Sequence, residues 1–411
     1  MIDAKVLSQF RKEGIEYYTD LKIVKEKSKD FSHTSPFLIE LLNKHSADVL
    51  VYPKNEEEVV KVVEIALENH VPIVPRGGGK NNVGGVIPLK GGILMDLSYM
   101  NKIEYEEGDE VIVQPSAPFV IGEKFLFNPR VYPSTFNEGA TVGGFFSGGS
   151  GGIGEFKYGR NWDYVTEVRM VNPKGKIVTL RGGDVKIAAH AEGTTGIITK
   201  LRVMTRPEVK DIPVLVESES LSKALNFVEK LFDEIGIYHV TLRSPQMSKL
   251  SENITGVSTD KWNVLVVCED ECNIEGNYKA GKMVWDKRFL FFGGTITTAM
   301  GAWKKRVYYI VKDIKLEEAF ERLTKISEIE DVMIADVEFD VGKVAHPFIL
   351  TTDKEAYKNV ENFLGGTNFD LNSIYINSRL KPEHLHKILI YKKAYDKEDL
   401  FNPGKVKFST G

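Results

Sequence analysis

The chain has 411 residues, 42% hydrophobic and 27% charged, with a formal net charge of -4. That length exceeds one ordinary core and points to two or three domains, while the mild negative charge argues against a general nucleic-acid binder. Two cysteines, Cys268 and Cys272, cannot build a disulfide framework or a four-thiolate cluster, so they read as free thiols in a reducing compartment. Any iron–sulfur relay would have to sit in another subunit.

The charged, amphipathic start over 1–20 lacks the apolar centre of a signal peptide. No apolar run approaches the roughly 18 residues of a spanning helix. The expectation is a cytoplasmic protein, with peripheral membrane contact left open.

Residues 1–45 read as helix, broken near 32–36. A short apolar strand follows at 47–52, closed by Pro53. Asn55 has the form of an N-cap, with Glu56, Glu57 and Glu58 in the first turn, and Val59, Val62, Val63, Ala66 and Leu67 recur at helical spacing. The chain returns to strand at 71–75, completing an α/β unit that runs into a glycine loop. Further strands are expected at 93–97 and 111–113, then a hairpin of 165–171 and 176–180 around Asn172-Pro173-Lys174-Gly175, then a strand at 197–205. After Pro207 glycine becomes rarer, and strands (238–243, 262–268, 332–339, 348–352) alternate with helices (222–235, 300–311, 316–326). A helix over 382–395 precedes Phe401-Asn402-Pro403-Gly404-Lys405.

Two glycine-rich stretches carry the chemistry. The first is Pro75-Arg76-Gly77-Gly78-Gly79-Lys80-Asn81-Asn82. Three glycines after a buried strand let successive backbone N–H groups converge on an anion, the alternative being a flexible surface turn. The second runs from Ala140 to Gly154 and contains a literal G-x-G-x-x-G at Gly149, Gly151 and Gly154. No predicted strand enters it and no clear amphipathic helix leaves it, so a nicotinamide-type Rossmann site is rejected. No G-x-x-x-x-G-K-[ST] occurs, and a P-loop is unsupported.

Pro72-Ile73-Val74-Pro75-Arg76-Gly77-Gly78-Gly79, followed by Gly91-Gly92-Ile93-Leu94-Met95-Asp96-Leu97, resembles the vanillyl-alcohol oxidase/PCMH flavoprotein superfamily. The nearest pattern is its branch of D-lactate dehydrogenases and D-type glycolate oxidase subunits. Ala140-Thr141-Val142-Gly143-Gly144, Lys157-Tyr158-Gly159-Arg160-Asn161-Trp162 and Glu192-Gly193-Thr194-Thr195-Gly196 agree in order and spacing, as does the terminal Asn402-Pro403-Gly404-Lys405. The resemblance implies an α+β protein: a PCMH-type FAD-binding domain of two α/β subdomains over 1–207, an α+β substrate or cap domain over 208–378, and a C-terminal segment, 379–411, returning to the FAD domain. It implies that Arg76, Gly77, Gly78, Gly79, Lys80, Asn81 and Asn82 hold the pyrophosphate and that Thr141, Gly144 and Ser147 line the middle of the cofactor. Glu192, Gly196 and Ile198 would border its ends, and Asn402 and Lys405 would return to the isoalloxazine. Members with covalent flavin often place a histidine where this chain has Lys80-Asn81, so the FAD is expected to be noncovalent.

The same branch implies oxidation of a CH–OH group of a small hydroxy acid or related alcohol, with electrons passing to a non-NAD acceptor such as a partner subunit. Trp303-Lys304-Lys305-Arg306 resembles its W-x-x-R element, where the arginine would grip a carboxylate; the bland alternative leaves Arg306 in water. Of the branch's histidine–acid motif only His346 survives, as a general base or merely a histidine beside a strand. The partner histidine falls at Phe339, and the later Glu-His-Gly pattern is absent around 368–375. No metal site is expected, and His384 and His386 should point apart on their helix. The alternative function is an FAD-binding subunit of a larger redox complex with a degenerate substrate site.

Overall fold

The structure is a computed structural model that describes residues 2–365 and 369–408, with side chains for all of these but 105–107. Asn55 caps the helix Glu56–Glu68, its side-chain oxygen accepting the Glu58 N–H at 2.9 Å. The three glutamates of the first turn sit at the positive end of the helix. Its inward face, Val59, Val62, Val63, Ile65 and Ala66, packs on a four-stranded sheet of order β1-β2-β4-β3. The strands are β1 (Tyr17–Tyr18), β2 (Val49–Val51), β3 (Ile73–Arg76) and β4 (Ile93–Asp96). Strands β2, β3 and β4 are parallel. Val49, Val51, Ile73, Ile93 and Met95 meet the helix side, while Leu50, Val74 and Leu94 form a smaller core under Val24 on the other face. Burial on both faces explains the continuous apolar runs.

The second sheet uses β5 (Ile103–Glu107) and β6 (Glu110–Val113), then, past a small hairpin of β7 (Val120–Ile121) and β8 (Lys124–Phe125), β9 (Val165–Val171), β10 (Ile177–Arg181) and β11 (Ile197–Met204). Its order is β10-β9-β11-β6-β5, antiparallel throughout. The β9–β10 hairpin turns as expected: the Asn172 side-chain oxygen accepts the N–H groups of Lys174 and Lys176, each at 3.0 Å.

The third sheet has seven strands: β12 (Asp211–Ser218), β13 (Ile237–Arg243), β14 (Trp262–Glu269), β15 (Tyr308–Val311), β16 (Ile314–Lys315), β17 (Val332–Asp340) and β18 (Val344–Thr351). The order is β12-β14-β13-β17-β18-β15, with β16 also on β18. Helices Leu221–Leu231, Leu316–Ser327 and Lys354–Leu364 cover one face. Helices Pro245–Leu250 and Gly294–Trp303 cover the other, where Val83 from the first glycine loop joins the same core. After the helix Pro382–Tyr395 the chain comes back to the first sheet, where Phe401 bridges Ile73 and the Asn402 N–H donates to the Ile73 carbonyl at 2.7 Å. The architecture is the expected α+β fold with a returning C-terminal segment.

Three local expectations are corrected. A single helix over 300–311 is instead the helix Gly294–Trp303 and then strand β15. Lys304, at φ 51°, ends the helix left-handed, and Tyr309 and Val311 then face one core while Ile310 faces the other, a period of two that overrides the helical pattern. Strands β5 and β12 lie where no element was expected. Cys268 and Cys272 are not free thiols but a disulfide. Asp270, at φ 61°, reverses the chain after β14 and brings the two Cα atoms to 5.5 Å, inside disulfide range.

Candidate functional site

A cavity of about 1570 Å³, counting its open mouth, lies between the two glycine-rich stretches and the inner side of the seven-stranded sheet. Arg76, Gly77, Gly78, Gly79, Lys80, Asn81, Asn82, Thr141, Gly144, Ser147, Glu192, Gly196 and Ile198 all line it.

The glycines are required by close approach. A Cβ on Gly77 would stand 2.5 Å from Thr141 Oγ1, and one on Gly78 would overlap the Gly139 carbonyl oxygen. The two stretches therefore touch backbone to backbone. Among the described residues, the N–H groups of Gly77, Gly78 and Gly79 donate to no backbone carbonyl, so they are left for an anion. Arg76 lines the cavity, but its guanidinium turns to the N-terminal segment, donating to the carbonyls of Lys27 and Lys29 at 2.8 and 2.7 Å. Lys80 holds its ammonium 4.8 Å from the Phe31 ring centre. Asn81 ties the loop together: its Oδ1 accepts the Val83 N–H at 2.7 Å and its carbonyl the Phe31 N–H at 2.8 Å. The second stretch is partly helical. Thr141 caps the short helix Val142–Gly148 by accepting the Gly144 N–H at 3.2 Å.

Glu192 lines the cavity in a left-handed conformation, φ 49°, with its N–H on the Ser147 carbonyl. Its buried carboxylate accepts from Arg379, which also donates to the Ser373 carbonyl. Burial pushes the Glu192 carboxyl up, and Arg379 and Lys405 offset part of that. Its Oε2 has no protein partner, so an acceptor is left for a bound group. Asn402 and Lys405 stand one layer back, outside the lining. Asn402 Nδ2 donates to the carbonyls of Gly85 and Glu192 at 2.7 and 2.6 Å, and Lys405 Nζ donates to the Gly84 carbonyl. They brace the wall rather than form it. Burial brings the Lys405 ammonium down to about 8, against the pull of Glu192 and Asp30.

The two expected catalytic residues are elsewhere. Arg306 is exposed and outside the cavity lining. His346 is buried on β18, with Nδ1 2.8 Å from Asp313 and Nε2 3.4 Å from Asp340. Burial, the largest influence, pulls the ring down, but the charge of Asp313 and the hydrogen bonds to Asp313 and Asp340 together lift His346 to about 9. An imidazolium held by two carboxylates is no general base at neutral pH. Arg160 completes this network, 3.4 Å from both Asp313 and Asp340, and reaches it from the 157–165 stretch. Among the described residues no cluster could hold a metal ion. His384 is buried and its Nε2 faces the carbonyls of Lys186 and Ala189, while His386 is exposed, so the two point apart. Asn368, the start of the absent Glu-His-Gly stretch, lies outside the described residues.

The sequence did not disclose the apolar part of the lining, Phe289, Phe292, Gly293, Ile296, Phe369 and Leu371, which packs beside the glycine stretches: the Phe292 ring abuts Gly151, and Val83 shares a core with Ile296, Phe369 and Leu371. Phe31 and Thr34 from the N-terminal segment and residues 133–135 close the sides. None belongs to a motif. The only signal was the turn Phe292-Gly293-Gly294 before a helix, with Phe292 at φ 49° and Gly293 at φ 108°.

A family model described as an FAD binding domain matches residues 47–181. Among curated relatives, a D-lactate dehydrogenase of Anaerostipes hadrus is 29% identical over 58% of this chain and 51% of its own. The glycolate oxidase subunit GlcD of Bacillus subtilis (strain 168) is 25% identical over 87% and 88%. The matched region thus spans about half the length of the D-lactate dehydrogenase and most of GlcD. Among solved structures, p-cresol methylhydroxylase with substrate bound superposes with a TM-score of 0.70 at 15% identity, covering 98% of this chain and 96% of that one. An alkyldihydroxyacetonephosphate synthase gives 0.69 at 16%, covering 98% and 86%. The donor-rich glycine cradle and the unpartnered Glu192 oxygen fit a dinucleotide with a pyrophosphate and hydroxyl groups. Residues 47–181 thus match an FAD binding domain, and the chain as a whole has the fold of p-cresol methylhydroxylase and alkyldihydroxyacetonephosphate synthase.

Proposed function

We propose that the chain is an FAD-dependent oxidoreductase that oxidises a CH–OH group and passes the electrons to an acceptor other than NAD. The observation that carries this reading is one cavity lined both by the two glycine-rich stretches and by the apolar side chains Phe289, Phe292, Ile296, Phe369 and Leu371. Bound FAD would supply the two-electron acceptor. The chain's own groups do the rest. The amides of Gly77, Gly78 and Gly79 and the Lys80 charge hold the pyrophosphate. Thr141 and Ser147 line the middle of the cofactor. Phe289, Phe292, Phe369 and Leu371 keep water from the reacting end.

The FAD is noncovalent in this reading, because no histidine is among the described lining residues. The visible spectrum of the pure protein before and after denaturation tests the cofactor assignment. Flavin released into the supernatant as FAD is the expected result. Flavin retained by the precipitated chain, or a colourless protein that takes up no FAD, would refute it.

One observation favours a second reading, a flavin-carrying subunit without its own turnover: His346 is locked between Asp313 and Asp340, and Arg306 is exposed. The relative GlcD is itself named a subunit. A stable co-purifying redox partner, with no flavin reduction by this chain alone, would support it; an active homo-oligomer would exclude it.

A further inference from the structure

We propose that Glu155, held behind the Phe292 ring, takes the proton that leaves the substrate hydroxyl in the cavity; this deepens the oxidoreductase reading above and rests on it. The helix Glu155–Tyr158 follows directly on the second glycine-rich stretch and packs against β13 and β17. Glu155 is buried, and its Oε2 accepts no hydrogen bond among the described residues. A Cβ on Gly151 would stand 3.4 Å from that oxygen and 2.4 Å from the Phe292 ring. The ring and the free oxygen therefore crowd the same glycine, and Phe292 lines the cavity. Phe369, which also lines it, has the Arg160 guanidinium 5.8 Å from its ring centre. Two lining rings thus stand against one charged cluster.

The charges of that cluster single out Glu155. Arg160 lies 3.4 Å from both Asp313 and Asp340, and the His346 ring lies 2.8 Å from Asp313 and 3.4 Å from Asp340. These cations and carboxylates cancel, which leaves the Glu155 charge over. Its Oε2 is 3.8 Å from Arg160 Nε, beyond a normal hydrogen bond. Tyr164 is buried and stays a neutral phenol, because burial and the Glu155 charge push its pKa well up. On β17, Glu338 shares the face of Asp340; burial pushes its carboxyl well up, and it accepts from Thr241 at 2.7 Å. From β13, Tyr238 packs on Gly154 and donates to the Arg130 carbonyl at 3.1 Å. Burial raises the Glu155 carboxyl to about 7, Asp340 and Asp313 add to that, and Arg160 and His346 oppose it. A group that titrates near neutrality can both take and release a proton.

Phe292 is placed to cover and uncover the carboxyl. It is left-handed, φ 49°, and the next residue, Gly293 at φ 108°, has nothing within 4 Å of its Cβ position. The turn that carries the ring therefore has open space beside it. When the ring turns aside, the carboxylate faces the cavity. The substrate C–H bond then breaks and its hydride reduces FAD, while its O–H bond breaks and an O–H bond forms on Glu155. The products are a C=O compound, reduced FAD and a neutral Glu155, whose proton later returns to water.

Two measurements on the FAD-loaded full chain test this. Anaerobic flavin reduction by small alcohols, 2-hydroxy acids among them, should quicken as pH rises through about 7. Glu155→Gln should slow it by at least about tenfold and remove that rise. Proton uptake on reduction by dithionite, followed with an indicator dye, needs no substrate. Around neutral pH it should be greater in the wild type than in Glu155→Gln, because electrons added near a carboxylate raise its proton affinity. Phe292→Ala, which admits water to Glu155, should shift both pH dependences downward and carries the test should Glu155→Gln not fold. A pH profile or a proton uptake unchanged by Glu155→Gln, or a folded Phe292→Ala protein with no shift, would overturn the inference. Glu155-dependent proton uptake without flavin reduction by any of the alcohols would leave the proton site standing and remove the oxidation reading instead.

Discussion

Arg379 and Glu192, 187 residues apart in sequence, form a buried ion pair on the cavity wall. The pair joins the chain just before the helix Pro382–Tyr395 to the residue whose N–H meets the Ser147 carbonyl of the second glycine-rich stretch. Removing one partner strands a buried charge, which costs about 3–5 kcal/mol. Arg379→Met should therefore lower the melting temperature and release FAD during gel filtration. Adding Glu192→Gln should recover part of the stability, and a double-mutant cycle on thermal unfolding measures how much. Additive losses would mean that the pair contributes nothing.

His346 gives a pH-dependent stability with a defined sign. Its folded pKa, about 9, lies above the ordinary value of 6.5. The folded protein therefore holds this proton more tightly. The stabilisation is complete below pH 6.5 and is lost as pH rises to 9. The wild type should lose stability relative to His346→Gln across that window, by an amount on the order of 1–3 kcal/mol. Denaturant unfolding of both proteins at several pH values reads the difference, and a gap that does not change with pH would contradict the assignment.

Glycine substitutions separate contact from conformation. A Cβ on Gly78 would overlap the Gly139 carbonyl oxygen, whereas one on Gly122 has nothing within 4 Å. Gly78→Ala should abolish FAD retention. Gly122→Ala, at φ 63°, should cost about 1–2 kcal/mol of stability for its left-handed backbone and keep the flavin. Flavin-to-protein absorbance ratios after desalting distinguish the two.

Arg306→Ala should be silent. The side chain is exposed and has no ion-pair or hydrogen-bond partner among the described residues. Stability should stay within about 0.5 kcal/mol, and the affinity for any alcohol that reduces the flavin should be unchanged. A clear loss of ligand binding would restore this arginine to the site.

The glycine-loop side of the cavity was legible because its pattern is written in the local sequence. Gly77, Gly78 and Gly79 follow an apolar strand, and Thr141 opens the second stretch three residues before Gly144. Such patterns translate directly into backbone geometry. The apolar part of the lining was not legible. Phe289, Phe292, Ile296 and Phe369 are ordinary apolar residues, and only the packing of helix Gly294–Trp303 against the sheet aims some of them into the cavity. His346 and Arg306 were expected from motif positions, and neither burial nor ion pairing can be read from a position. Arg160 shows the same limit: its partners Asp313, Asp340 and Glu155 come together only when the 157–165 stretch meets the seven-stranded sheet. The error over 300–311 is of a different kind. Val307, Tyr309 and Val311 suit a helix or a strand, and Lys304 gives no warning of its left-handed turn.

The anaerobic visible spectrum of the FAD-loaded protein during titration with a broad set of small alcohols, 2-hydroxy acids among them, tests the central claim most directly. The account predicts progressive loss of the oxidised-flavin band with at least one of these alcohols, and recovery when an artificial dye acceptor is added. An oxidised-flavin band that none of the alcohols diminishes would contradict it.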